Sequence, residues 1–194
     1  MKNTLNLVII VVVVSLACLS PSCIQSEPTV SQASWEEVLS NDLHLLGHRN
    51  WILVVDKAFP EQSSPGMKYI YVEEELIPTL QHVLNAIESS THISPVIYSD
   101  KELSFITEDQ VPGIDKFKSE RGKILAGREV NTLLHEDVFS LLDESSSLFR
   151  TLVIKTNCTK PYTSVFLQMD CSYWGEDNET LLRSKMSESS TLSE

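Results

Sequence analysis

Apolar residues recur along this chain at two different spacings. Trp51-Ile52-Leu53-Val54-Val55 is a continuous apolar run, which suits a strand buried on both faces. Residues 68–72, 95–98, 130–134, 149–155 and 164–169 read as further strands. Between them the spacing turns helical. Val38, Leu43, Leu45 and Leu46 share one side of a helix over residues 35–46. Leu76, Ile77, Leu80, Val83, Leu84 and Ile87 do the same over residues 75–87. Pro78 falls in the first turn there, where a missing N–H costs little. Residues 114–125 predict a charged, exposed helix. Residues 135–148 predict another, with Val138, Leu141 and Leu142 along one side.

Strands alternating with helices predict an α/β fold: a single three-layer domain with a largely parallel or mixed sheet. The last two strands are joined by about eight residues and no helix, too few for a parallel crossover. They either pair antiparallel or lie in different parts of the sheet.

The two ends differ from the middle. After Lys2, residues 5–19 are apolar except for Asn6 and Ser15, a run shorter than the ~20 residues of a spanning helix. Residues 1–23 read as an export or lipoprotein signal, with Cys18 and Cys23 as candidate anchor positions. That predicts a periplasmic, secreted or lipid-anchored protein. Residues 24–34 read as a linker, residues 35–174 as the domain, and residues 175–194 as a flexible, acidic Ser/Glu-rich tail. Cys158 and Cys171 lie near opposite ends of a predicted strand spanning roughly 20 Å, beyond disulfide reach. Both are expected as free thiols.

A formal net charge of -12 excludes a nucleic-acid partner, which needs clustered Lys and Arg. It also excludes docking on anionic lipid through a basic face, so any membrane contact is expected only at the N-terminal anchor. No Gly-rich phosphate loop, GxSxG elbow or Cys/His zinc spacing occurs, so no cofactor and no metal are expected.

Three segments carry candidate chemistry. Gly47-His48-Arg49-Asn50 precedes the first strand and Asp56 follows it. Histidine is the side chain best suited to moving protons near neutral pH. His135-Glu136-Asp137 lies where a strand passes into a helix; its acids also suit the helix N-terminus, so a plain helix start remains an equal reading. Pro161-Tyr162-Thr163-Ser164 offers a phenol and two hydroxyls, a hydrogen-bonding set for a polyol, and serves equally as a turn before a strand. His44, His82 and His92 read as structural or exposed.

In order along the chain, Leu46-Gly47-His48 through Asp56 with Phe59-Pro60, then His135-Glu136-Asp137-Val138-Phe139, then Pro161-Tyr162-Thr163-Ser164-Val165-Phe166-Leu167 resemble the RbsD/FucU family. That family includes D-ribose pyranase and L-fucose mutarotase. The resemblance implies an RbsD-like fold. It also implies a monosaccharide mutarotase or pyranase, an isomerase that opens the sugar ring by acid–base chemistry. His48 would be the catalytic proton donor, with Asp56 orienting it. Asp56, His135, Tyr162 and Ser164 would bind the sugar, such as ribose or fucose. Ser164 stands where ribose-type members usually carry Asn. The resemblance further implies a homo-oligomer with pockets near subunit contacts. A non-catalytic monosaccharide-binding module and a structural surface oligomer are the alternatives.

Overall fold

In a computed structural model, which describes residues 33–191, Trp51–Val55 forms the strand its apolar run predicts, and all of it is buried. This strand, β1, belongs to one six-stranded sheet. The others are β2 (Met67–Tyr71), β3 (Ile93–Asp100), β4 (Val130–Leu133), β5 (Thr151–Lys155) and β6 (Val165–Cys171). Their order is β2-β5-β1-β6-β3-β4. β1 runs parallel to β5, β5 to β2, and β3 to β4. β6 runs antiparallel to both of its neighbours, β1 and β3. The sheet is therefore mixed, with β6 alone reversed. β5 and β6 do not pair; β1 lies between them.

Helices cover both faces. α1 (Trp35–Leu43), α2 (Leu76–Glu88) and α3 (Ile114–Ile124) pack on one, where Leu39, Leu80, Leu84 and Ile114 meet Ile52, Val54, Leu152 and Ile154. α4 (His135–Ser146) packs on the other, where Val138 and Leu142 meet Trp51, Leu53, Val153 and Phe166. The split follows from the strand period: successive residues of β1 point to opposite faces. The result is the three-layer α/β domain that the patterning predicts. Helix starts follow local chemistry. Ser34 and Glu37 form a reciprocal capping box on α1. Near β2, an alanine Cβ at Gly66 would lie 2.3 Å from the Ser146 carbonyl oxygen, so this close approach requires glycine.

One expectation is corrected. The segment predicted to be a flexible tail holds a helix, α5 (Glu176–Thr191). It presents no apolar stripe to the core, which hid it from a periodicity reading. Acidic residues at its start and an Arg183–Glu179 pair one turn apart support it locally. Cys158 is buried and Cys171 half-buried, and both are free. The predicted signal, Cys18, Cys23 and nearly all of the predicted linker lie outside the described residues. Among the described residues, no helix is long and apolar enough to cross a membrane.

Candidate functional site

The reversed strand β6 sets the geometry. Because it runs against β1, β3 and β4, its start lies at the same edge of the sheet as their ends. Asp56 follows β1, His135 opens α4 directly after β4, and Tyr162 precedes β6. All three line one cleft of about 220 Å³, with Phe59, Phe139 and Pro161 among the other walls. That volume is below the ~300–1,000 Å³ of pockets for drug-sized ligands and suits one small polyol. A wider hollow of about 480 Å³ beside α1 and α2 is lined by His44 and His82 and holds none of the predicted site residues.

Each wall residue is held from behind. Asp56 Oδ1 accepts the Ala58 N–H at 2.8 Å, and its Oδ2 accepts the Ser164 hydroxyl at 3.1 Å. Ser164 Oγ also accepts the Asp56 N–H at 3.2 Å. The His135 N–H donates to the Glu102 carboxylate at 3.1 and 3.2 Å. The His135 ring meets Phe139 and Tyr162 edge-on, with centroids 4.8 and 5.2 Å apart. Its Nδ1 lies 3.2 Å from Asp100 Oδ1. Asp100 ends β3, and its side chain is 0% exposed. Burial pushes this carboxyl above the usual range, and nearby Glu102 and Asp56 add to the rise, while His135 draws it back down. Tyr162 carries φ 57°, a left-handed conformation uncommon outside glycine.

His48 lies elsewhere. It precedes β1, whereas Asp56 follows it, so about five strand residues, roughly 17 Å, separate the two ends. His48 Nδ1 bonds to Asp170 Oδ1 at 2.8 Å, and its Nε2 accepts from Arg49 Nε at 3.4 Å. Asp170 is near the end of β6, which the reversal brings beside the start of β1. Asn50 closes the loop by accepting the Gly47 N–H at 2.7 Å, and the Arg49 N–H donates to the Met169 carbonyl at 2.9 Å. Arg49 has φ 74°. Among the described residues, the only non-glycine residues with positive φ are thus Arg49 and Tyr162, one beside each candidate histidine.

The same arrangement of strands and helices occurs in solved structures. Bacillus subtilis RbsD complexed with D-ribose superposes with a TM-score of 0.51 at 17% identity, covering 72% of this chain and 95% of that one. The chain has an RbsD-type fold. A fucose mutarotase in complex with L-fucose from Streptococcus pneumoniae gives a TM-score of 0.48 at 18% identity, over 71% of this chain and 92% of that one. No family model matches the chain, and neither does any curated protein by sequence.

Within the RbsD-type fold, two predicted roles change. Ser164 is 1% exposed and its hydroxyl is occupied by Asp56, so it braces a cleft wall instead of facing a ligand. Within one chain, Asp170 and not Asp56 holds the His48 ring, because Asp56 lies at the other end of β1. Two carboxylates were not anticipated, Asp100 and Asp170. Asp100 had a legible signal: β1 and β3 are parallel strands that each lead into an aspartate at the same edge, Val55-Asp56 and Ser99-Asp100. Asp170 had none, because its partnership depends on the reversal of β6. Among the described residues, no group of three or more His, Cys, Asp or Glu is placed to hold a metal ion.

Proposed function

We propose that this protein is a monosaccharide isomerase that interconverts anomers or ring sizes by opening the ring. The convergence of Asp56, His135 and Tyr162, from three distant segments, on one polyol-sized cleft carries this reading. The RbsD-type fold, seen with D-ribose in one solved relative, supports it.

The chemistry needs two proton transfers. A base removes the anomeric hydroxyl proton, the bond from the anomeric carbon to the ring oxygen breaks, and an acid protonates the ring oxygen. The open carbonyl form rotates and recloses by the reverse steps. His135 serves the anomeric proton, Asp56 accepts sugar hydroxyls, and Tyr162 holds a further hydroxyl. His48, oriented by Asp170, is the proton donor to the ring oxygen.

His48 cannot reach the cleft of its own chain, so the proposal takes it from a second copy. A head-to-tail contact joins unlike surfaces and closes into a ring when the rotation allows. Large apolar side chains are exposed at both ends: Leu45 and Leu148 near His48, Phe105 and Leu134 near the cleft edge. Their burial against each other would favour such a contact. As part of the same proposal, residues 5–19 deliver the domain out of the cytoplasm.

A binding-only module is the second reading, and the separation of His48 from the cleft favours it. Saturation-transfer NMR on a panel of free pentoses and hexoses separates the two. Faster exchange between anomer signals supports the isomerase. Calorimetric binding without faster exchange supports the module, and no binding to any sugar leaves the structural oligomer.

A further inference from the structure

We infer that Asp100 is a positioning residue that holds the His135 ring with its Nδ1 proton turned inward, leaving Nε2 as the base facing the cleft. This rests on the ring-opening reading and assigns the residue behind its base.

The location of Asp100 is expensive for the fold. An ionised carboxylate loses its hydration on burial, and an apolar residue at the end of β3 would avoid that loss. The carboxylate nevertheless sits 3.2 Å from Nδ1 of a cleft residue, and both carboxylate oxygens and that Nδ1 are buried with no other hydrogen-bond partner, so the charge of one is the nearest answer to the other. On α3, Arg121 has its Nε and Nη2 buried without a hydrogen-bond partner, and it feels the charge of Asp100 without forming an ion pair with it. Burial pushes this guanidinium down, and the charge of Asp100 draws it back up. The groups facing Asp100 are therefore His135 on α4, Arg121 on α3, Glu102 in the turn Lys101–Phe105, and Asp56 after β1. Two cationic or proton-bearing groups oppose two carboxylates, which keeps Asp100 able to ionise beside the imidazole.

A ring nitrogen facing a carboxylate carries the proton, which leaves the other nitrogen with a free lone pair. Asp100 does not line the cleft, whereas His135 does. Phe139 and Tyr162 pack edge-on against the ring and favour this orientation. Nε2 is therefore presented to the ligand side as an acceptor.

The test is ¹⁵N NMR of the His135 ring in the intact protein at alkaline pH, followed by Asp100→Asn. The wild type is expected to show the Nδ1–H tautomer. Asp100→Asn, which can turn its amide N–H toward Nδ1, is expected to shift the ring to Nε2–H. It is also expected to lower kcat for anomer exchange by about 100-fold with KM little changed. The variant is further expected to gain thermal stability at neutral pH. The native state holds the Asp100 proton more tightly than the unfolded chain, so stability is lost as pH rises through its raised native value. Asn removes that loss, and its advantage disappears below about pH 4, where the unfolded carboxyl is also protonated.

An Nε2–H tautomer in the wild type overturns the inference, and that measurement needs no variant to fold. A less stable Asp100→Asn with unchanged kcat and unchanged tautomer also overturns it, since that is what a structural aspartate would give. If the tautomer shifts as stated but the wild type accelerates no sugar, the positioning role stands and the isomerase reading fails.

Discussion

His135→Ala is expected to slow anomer exchange by about 10²–10⁴-fold, the range for losing one acid–base group. The His135 side chain is 33% exposed, packs on Phe139 and Tyr162 and faces the buried Asp100, so truncation also removes packing. The melting temperature is therefore expected to fall modestly, and the exchange rate is read well below it. The two readouts together separate chemistry from folding. Asp56 and Tyr162 remain in place in the variant, so sugar binding by calorimetry is expected to weaken only modestly. A variant that exchanges sugar at the wild-type rate would leave His135 as a helix-start residue and nothing more.

Phe166→Ala is expected to destabilise the domain by about 3–5 kcal/mol, the usual loss for a fully buried Phe. Phe166 lies at the centre of the sheet, opposite Leu53 on one side and Tyr98 on the other. Its ring centroid is 6.5 Å from Phe59, and Phe59 stacks at 5.4 Å on Phe139. Phe59 and Phe139 are both cleft walls, so the loss reaches the site. For a domain of this size the loss corresponds to roughly 6–20 °C in melting temperature. KM for the sugar is expected to rise as well, because the stacked pair loses its backing. Denaturant titration and sugar-dependent exchange rates check the two effects. A loss under about 1 kcal/mol would mean that the site collapses around the cavity more fully than close packing allows.

Most of the fold was legible because its strands and helices satisfy one pattern each. β1 is apolar throughout, α2 repeats at helical spacing, and turns separate them. α5 was not legible, because no apolar stripe records it. The site was legible in part. The spacing of Asp56, His135 and Tyr162 points to strand ends, and the sheet brings those ends together. What a linear reading lacked was the direction of β6. That single reversal puts Tyr162 beside Asp56, and it also puts Asp170 beside His48. Ser164 shows the complementary limit: a hydroxyl near a cleft in sequence can face inward, and only the burial of its side chain reveals that it serves Asp56.

In the proposed mechanism, one working site draws its cleft from one copy and His48 from the next. His48→Ala and His135→Ala proteins, purified separately, dissociated and reassembled together, test it most directly. Each variant alone is expected to be slow. In a random mixture about a quarter of head-to-tail contacts pair an intact His48 with an intact cleft, so exchange is expected to recover to about a quarter of the wild-type rate. A mixture as slow as its parts, or a His48→Ala protein as fast as the wild type, would contradict the account.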